Sequence, residues 1–286
     1  SSIDHYTGSP YSSIMYPAGN LDSIDKMEIT VDANTLNFPS KVKTYLFHPH
    51  NSNGKLFIYH AGHCVGAATA EDVTINGLGS EPGLVIPKMI KEGYTVLVVP
   101  MFNYRNVNND GYACGYNNHD FLFLDNNYEY PMGFFFKPLA ASLNFLCRGN
   151  YSSIYMCGFS GGGWATSLYP ALDSSVSLSV IVSGSWPMPV RQAFFTDGDY
   201  EQLYPPIFVY FLDYHELYAL GCLAPARKML QINNRLDPCC YNNASAHIFY
   251  VDSVQKALAG SGGDFKFYLD ETDNRHAITA RDVKVM

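Results

Sequence analysis

Short apolar segments alternate along this chain with segments of helical spacing, and this alternation constrains the fold more than any other feature. Strands that alternate with helices form a mostly parallel sheet with helices on both faces, an α/β architecture. Ligands of such sheets bind beyond the carboxyl ends of the strands, so polar residues that follow a strand are candidates for function. Strands are predicted at 27–31, 41–47, 55–60, 95–100, 153–158, 178–183, 229–233 and 265–269, the first two antiparallel, and helices at 83–92, 134–148, 161–172 and 246–259.

The chain length favours one domain. An α/β chain of 286 residues is within the range of a single domain, and we expect 1–286 to form one. Residues 1–25 are rich in Ser, Tyr, Gly and Pro, which predicts an extended N-terminal arm. A loop as long as 102–131 is usually functional when it lies inside a domain. Residues 187–227 interrupt the alternation with Pro, aromatic and acidic residues, which predicts a cap-like insertion.

Charge and hydropathy exclude several classes of partner. The formal net charge is −8, so no basic stripe is available for a nucleic acid backbone. The hydrophobic fraction of 47% is too high for a disordered chain, and no apolar run approaches the roughly 20 residues that a membrane span needs. Only 15% of residues are charged and 22 are Tyr, which favours an extracellular or exported protein that contacts neutral polar ligands such as sugars. The alternative is that Tyr and Asn simply fill strands and turns.

The seven cysteines cannot all pair within the chain, because the count is odd. Cys147 and Cys157 lie in apolar segments and are predicted to be buried thiols. No CxxC is present, so neither a thioredoxin-like site nor a zinc knuckle is indicated. Four others are in loop-like contexts and could form disulfides: Cys114, Cys222, Cys239 and Cys240. Of these, the adjacent residues Cys239 and Cys240 could form a vicinal disulfide with each other.

The segment 154–164 carries the strongest functional pattern, an apolar strand followed by Gly-X-Ser-X-Gly at 158–162 and then a helix. A nucleophilic serine on a sharp strand-to-helix turn has strained backbone angles, and glycines two residues before and after it leave room for the turn. The helix N-terminus stabilises negative charge that forms near Ser160. A glycine-rich turn with an incidental serine is the plain alternative. A dinucleotide-binding loop is disfavoured, because Ser160 occupies the place of its second glycine.

This elbow resembles that of the α/β-hydrolase superfamily, and the resemblance extends over about residues 27–286. The sequence Gly-Phe-Ser-Gly-Gly-Gly-Trp at 158–164 is most similar to carbohydrate-directed and small-acyl esterases of that superfamily. The resemblance implies an acyl-enzyme formed on Ser160, a triad in the chain order Ser, acid, His, and no cofactor.

The resemblance also implies an oxyanion hole made of two backbone N–H groups. Gly161 follows the serine and supplies the first of them. The sequence His-Ala-Gly-His at 60–63 follows an apolar strand and is similar to the family's His-Gly-Gly-Gly loop, which implies that Gly62 or His63 supplies the second. His60, His63 and Cys64 could instead suggest a metal site, but no suitable fourth ligand is evident, and we expect no metal.

The acid and the base are expected just after the last two strands. Asp237 follows the strand predicted at 229–233, and His276 follows the strand predicted at 265–269. In the triad, Asp237 would orient the imidazole and His276 would act as the general base. The competing residues are less suitably placed, either within a predicted helix, in the insertion, or too close before His276: His247, His215, Asp213, Glu216, Asp270 and Asp273.

The sequence therefore predicts a serine carboxylic-ester hydrolase that removes acyl groups, such as acetyl, from a small-molecule or glycan ester. The candidate substrate contacts are His60, Phe159 and Trp186, although His60 could equally be a buried histidine bonded to loop backbone. Aromatic residues of the insertion could stack on sugar rings or form the core of a cap. Two alternatives stay open: a peptidase of the same fold, and a catalytically silent carbohydrate-binding module.

Overall fold

The computed structural model describes residues 2–7, 20–30, 41–63, 81–102, 123, 130–194, 198–242 and 245–286. Contacts between Cα atoms divide the chain into two compact units, Ser1–Ile154 and Tyr155–Met286. The prediction of one domain over 1–286 stays a prediction. Most of the long loop predicted at 102–131 lies outside the described residues, as do Cys64 and Cys114.

The first unit contains five described strands in the order β1-β2-β3-β5-β4. The pairs β1/β2, β2/β3 and β3/β5 are antiparallel, whereas β4 and β5 are parallel. Every side chain of β4 and β5 is buried, as expected for apolar, β-branched strands covered on both faces. The bounds are β1 Ser2–Thr7, β2 Leu21–Thr30, β3 Lys41–Pro49, β4 Leu56–His60 and β5 Thr95–Val99.

Two helices pack on these strands. Helix α1 (Glu81–Lys91) contacts β3, β4 and β5, and helix α2 (Gly133–Phe145) contacts β2 and β3. The buried face of α2 includes Phe135 and Leu139. A buried hydroxyl pair joins α2 to the sheet, since Ser142 Oγ lies 3.3 Å from Thr44 Oγ1. A short 3-10 helix, Arg148–Asn150, follows α2.

The N-terminal segment is not a simple extended arm over its described part. Strand β1 pairs in antiparallel register with β2, for example Ile3 with Met27. Strand β2 itself begins at Leu21, six residues before the predicted strand at 27–31. Ser23 and Asp25 interrupt the apolar run in this part of β2, and pairing on both sides extends the strand through them. Tertiary pairing thus overrides local composition here.

The second unit contains four strands in the order β6-β7-β8-β9. The pairs β7/β8 and β8/β9 are parallel, with Val182 opposite Ile232 and Asn234 opposite Asp270. The carboxyl ends of these strands therefore lie at one edge, where the loops after them meet. The bounds are β6 Ile154–Phe159, β7 Val176–Val182, β8 Lys228–Asn234 and β9 Asp264–Asp270.

The helices of the second unit include one within the predicted insertion that packs against the sheet. Helix α7 (Tyr214–Cys222) contacts α3 (Gly161–Leu172), α8 (Val251–Ala257), β8 and β9, so the C-terminal part of 187–227 is a helix that connects β7 to β8. The predicted helix 246–259 is a 3-10 helix, Ala246–Phe249, followed by α8. The α-helices are α3 Gly161–Leu172, α4 Met188–Ala193, α5 Tyr200–Leu203, α6 Pro205–Phe208, α7 Tyr214–Cys222, α8 Val251–Ala257 and α9 Asp282–Val285.

The cysteine predictions have mixed outcomes. Cys157 is a buried free thiol, as predicted. The prediction for Cys147 is wrong, because this thiol is exposed. Cys147 lies just past α2 in a left-handed conformation, with φ of 54°, so the helix that would bury it has already ended. Cys222 is buried and free at the end of α7.

Among the described helices, none combines the length and the apolar character that a membrane crossing requires.

Candidate active site

The predicted nucleophile lies on the turn between β6 and α3. Ser160 has φ of 54° and ψ of −121°, a conformation that a non-glycine residue adopts only when the surrounding structure enforces it. Two backbone hydrogen bonds do so. Ser160 N–H donates to Val182 O at 2.9 Å, and Trp164 N–H donates to Ser160 O at 2.9 Å. The serine is thereby fixed to the neighbouring strand and to the first turn of the helix.

Glycines allow the backbones around this turn to touch. A Cβ atom on Gly158 would lie 2.0 Å from Gly162 O and 2.4 Å from Thr166 Oγ1, so no side chain fits there. A Cβ on Gly184 would lie 2.3 Å from the carbonyl carbon of Gly163. The sequence did not predict a role for Gly184, because it lies in the loop after β7 and contacts Gly163 only in the folded structure.

His276 lies between Ser160 and Asp237. Its Nε2 is 3.0 Å from Ser160 Oγ, and its Nδ1 is 2.6 Å from Asp237 Oδ2. The Phe159 ring packs against the imidazole with the ring centroids 4.7 Å apart. The structure therefore brings together the three residues that the sequence predicted to act as nucleophile, base and acid. In this arrangement, a proton on Nδ1 is donated to the carboxylate, which leaves Nε2 free to accept the hydroxyl proton.

Asp237 is buried, and both of its carboxylate oxygens are hydrogen bonded. Oδ2 faces His276, while Oδ1 accepts from the backbone N–H groups of Cys239 at 2.8 Å and Cys240 at 3.1 Å. These two cysteines are joined by a disulfide. A buried carboxylate needs such donors, because burial without hydrogen bonds disfavours the charged form.

Asn234 is a supporting residue that the sequence interpretation missed. It is the last residue of β8 and is fully buried. Its Nδ2 donates to the carbonyls of Arg275 at 3.1 Å and Ala277 at 2.8 Å, which are the residues on either side of His276. A buried amide thus holds the backbone on both sides of the candidate base. The available signal was a polar side chain at a strand end, three residues before Asp237.

Comparison with known proteins identifies the fold through solved structures and not through sequence. No family model matches the chain, and no curated protein matches it in sequence. Among solved structures, a methylesterase is 15% identical with a TM-score of 0.61 over 99% of this chain, which spans 56% of that protein. An acetyl xylan esterase from Paenibacillus sp. R4 is 15% identical with a TM-score of 0.60, over 100% of this chain and 86% of that one. A glucuronoyl esterase from Solibacter usitatus is 12% identical with a TM-score of 0.60, over 99% and 84%.

The chain has the α/β-hydrolase fold. The predicted α/β-hydrolase fold, with its mostly parallel sheet, is confirmed. Within the α/β-hydrolase fold, the elbow follows β6, and the candidate acid and base follow β8 and β9, the positions that the fold gives to its triad.

The predicted oxyanion donors lie in different units. Gly161 is the first residue of α3, so its N–H precedes the hydrogen bonds within the helix. Gly62 and His63 follow β4 in the first unit; Gly62 is buried and His63 is partly exposed. Their roles as donors stay predictions. The neighbouring His60 is fully buried, with Nδ1 3.1 Å from Ala61 O, and burial lowers its pKa to about 4. His60 is therefore neutral at the pH of ordinary assays.

The other two predicted substrate contacts are buried rings of the second unit. Phe159 packs on His276, as described above. Trp186 is fully buried and packs edge-on against Tyr241, with centroids 5.4 Å apart, and against Phe194, with centroids 5.9 Å apart. Contact of His60, Phe159 or Trp186 with substrate stays a prediction.

The residues that competed for the acid and base roles have other partners. Asp213 and Glu216 form a reciprocal capping box at the start of α7. His215 Nδ1 lies 3.2 Å from Asp213 Oδ2. The His247 ring stacks on Phe267 with the centroids 4.6 Å apart. Asp270 accepts from Thr272, and Asp273 accepts from Arg275.

Proposed function

We propose that this chain is a serine carboxylic-ester hydrolase in which Ser160 is the nucleophile, His276 the general base and Asp237 the acid that orients it. The observation that supports this most strongly is the continuous series of contacts from Ser160 Oγ through the imidazole to a buried carboxylate, 3.0 Å and 2.6 Å long. The series starts on a strained turn between a strand and a helix.

In the acylation step, His276 Nε2 takes the Ser160 proton as Oγ attacks the ester carbonyl. The imidazolium that forms is stabilised by the Asp237 carboxylate on the other side of the ring. Negative charge develops on the carbonyl oxygen, and the Gly161 N–H at the start of α3 is one donor that would receive it. The imidazolium then returns the proton to the leaving alcohol, and an acyl-enzyme remains on Ser160.

In the deacylation step, water takes the place of the alcohol. His276 removes a proton from the water, the hydroxyl adds to the acyl carbon, and Ser160 Oγ leaves with the proton returned by the imidazolium. The products are a carboxylic acid and the regenerated serine. No metal or cofactor takes part in either step.

For the substrate, we propose acyl groups such as acetyl on a glycan, encountered by an exported protein. The low charged fraction of 15% and the 22 tyrosines suit contact with neutral sugars. Structural similarity to proteins named as an acetyl xylan esterase and a glucuronoyl esterase supports the same class.

Hydrolysis of p-nitrophenyl acetate, butyrate and octanoate, and acetate release from an acetylated oligosaccharide, test the proposal. Ser160→Ala should abolish turnover, while the matched control Ser174→Ala, at an exposed turn, should retain it. Turnover that survives in Ser160→Ala would exclude this nucleophile. Acetate release from the oligosaccharide would support the glycan substrate, and its absence beside active ester hydrolysis would exclude it.

The two alternative functions give different results in the same assays. A peptidase should cleave a p-nitroanilide faster than the corresponding ester, and that cleavage should also depend on Ser160. A silent carbohydrate-binding module should bind the oligosaccharide, turn over no substrate, and leave Ser160 unlabelled by a fluorophosphonate probe.

A further inference from the structure

We propose that the Cys239–Cys240 disulfide positions Asp237, and through it His276, so that reduction of this disulfide lowers turnover. The inference rests on the proposed function, because it assigns Asp237 to the triad. The observation that carries it is that the two backbone N–H groups holding Asp237 Oδ1 belong to the two disulfide-bonded residues. A disulfide between adjacent residues closes a small ring that includes the peptide bond between them.

Asp237 depends on these donors because it is enclosed by protein. Its exposed fraction is 1%, so water does not replace a lost hydrogen bond without a rearrangement. Oδ2 is committed to His276, which leaves Oδ1 to the two cysteine amides at 2.8 Å and 3.1 Å. Both amides must point at one oxygen at the same time. Their relative orientation is a property of the Cys239–Cys240 backbone, which the ring constrains.

The chain is anchored on both sides of this ring. Before it, Asp237 N–H donates to Asn234 O at 3.2 Å, which closes the turn after β8. After it, Tyr241 is buried in a left-handed conformation with φ of 60°, and its hydroxyl donates to Gly184 O at 2.9 Å. Opening the ring therefore frees the two amides locally, between fixed ends, without releasing the rest of the loop.

The disulfide is accessible to a reductant of the dithiol class. Cys239 is exposed and Cys240 is partly exposed, whereas the free thiols of Cys157 and Cys222 are buried. In the reaction, a thiolate of the dithiol attacks one sulfur and breaks the S–S bond, giving a mixed disulfide. The second thiol of the reductant then displaces it. Two electrons and two protons pass to Cys239 and Cys240, which become thiols, and the reductant becomes a cyclic disulfide.

Reduction should lower kcat and leave KM unchanged. Reduction removes an aligned donor from a buried carboxylate, and a tenfold loss in rate corresponds to about 1.4 kcal/mol. We therefore expect a loss of about tenfold in kcat, because the imidazole is less well oriented toward Ser160. We expect KM to be unchanged because both amides already donate to Asp237 Oδ1 and are not free to bind substrate.

The experiment compares kcat and KM for p-nitrophenyl acetate before reduction, after reduction by dithiothreitol, and after reoxidation. Alkylation and peptide mass mapping establish that the Cys239–Cys240 bond has opened. EDTA is present throughout, since both sulfur atoms and a His276 ring nitrogen lie within 4.8 Å of one another and the free thiols could capture a trace metal. Cys239→Ser/Cys240→Ser has the ring permanently open, and Cys147→Ser is the control for an exposed thiol elsewhere.

The expected result is a reversible loss of about tenfold in kcat for the native chain and Cys147→Ser, with the double variant slow in both buffers. Unchanged kcat after mapped reduction, in a protein whose turnover requires Ser160, would overturn the inference and leave the proposed function intact. Equal sensitivity of the double variant to the reductant would also overturn it, since another site would then be responsible.

A second measurement tests the positioning of Asp237 by the disulfide without relying on turnover. The imidazole proton shared between His276 Nδ1 and Asp237 gives a low-field proton resonance, identified by its absence in His276→Gln. Reduction should broaden or shift this resonance, and reoxidation should restore it. A resonance indifferent to the state of the disulfide would show that the ring does not position the acid.

Discussion

The two sides of the candidate active site are built in different ways. On the nucleophile side, backbones touch: a Cβ on Gly158 would lie 2.0 Å from Gly162 O, so there is no space to adjust. On the acid and base side, Asp237 and His276 lie on loops held by individual hydrogen bonds. Where backbones are in contact, no side-chain atom can be added without moving them. Individual hydrogen bonds, in contrast, can be removed one at a time. Substitutions on the first side should therefore affect the fold, and those on the second should affect turnover.

The largest expected effect on the acid and base side comes from Asp237→Asn. The amide keeps the shape of the side chain but no longer stabilises the imidazolium or selects the Nδ1–H tautomer of His276. We expect kcat for p-nitrophenyl acetate to fall by about 10³–10⁴-fold, with the circular dichroism spectrum unchanged. Asp252→Asn, at an exposed position in the first turn of α8, is the matched control. A loss of less than tenfold would remove Asp237 from the proposed triad.

The nucleophile side should respond to Gly158→Ala by losing stability. The added methyl group would lie 2.0 Å from Gly162 O and 2.4 Å from Thr166 Oγ1, so the elbow must distort. We expect the free energy of unfolding to fall by at least about 3 kcal/mol, measured by urea denaturation, or the protein to accumulate as aggregate. Gly149→Ala adds the same methyl group with no atom within 4 Å and should be nearly neutral. Equal stability of the two variants would contradict the proposed difference between the two sides.

A smaller effect is expected when one hydrogen-bonding group behind the base is removed. Asn234→Ala deletes the amide that donates to the Arg275 and Ala277 carbonyls. The Arg275 and Ala277 carbonyls each lose this donor, and the backbone on both sides of His276 is held less firmly. We expect kcat to fall by about tenfold, with KM unchanged and a loss of about 1–3 kcal/mol in the free energy of unfolding. An unchanged kcat beside the expected loss of stability would restrict Asn234 to a structural role.

The same contrast explains what the sequence could and could not predict. The elbow was predictable because its determinants are contiguous: helix α3 has the predicted bounds, 161–172, and β6 differs by one residue at each end. The placement of Asp237 and His276 followed from the fold's chain order and from the strand ends. The sequence spacing could not predict that these two side chains are in contact, because they are 39 residues apart in the chain.

The missed features depend on partners that are distant in sequence. Gly184 is informative only once it lies against Gly163. In the sequence, Asn234 is indistinguishable from an ordinary polar residue. Its role follows from the two hydrogen bonds that its amide donates to the carbonyls beside His276. Strand β1 lies in a polar segment, and its pairing with β2 supplies what local composition does not. In each case tertiary contact, rather than propensity, determines the role.

The smallest expected effect concerns the segment that anchors the base loop to the end of the chain. After His276, Thr279 Oγ1 donates to Asp270 Oδ2 at 3.1 Å, and Thr279 N–H donates to Asp282 Oδ2 at 2.7 Å. Burial raises the pKa of Asp282 to about 6, and the nearby Asp270 and Asp273 carboxylates add to the rise. The folded state therefore retains this proton up to a higher pH than the unfolded chain does. Between about pH 4 and pH 6, the contribution of Asp282 to stability falls as pH rises.

Asp282→Asn removes this titration while its side-chain oxygen can still accept from Thr279 N–H. Above pH 6 the variant should be more stable than the native chain, by about 2–3 kcal/mol, and the difference should shrink as pH falls toward 4. Thermal unfolding of both proteins between pH 4 and pH 8 measures it. Burial favours the neutral form of Asp270, but its hydrogen bonds with Thr272 and Thr279 outweigh burial and lower its pKa, so it is already ionised through this range in both proteins. A constant difference across this range would mean that Asp282 does not retain its proton in the folded state.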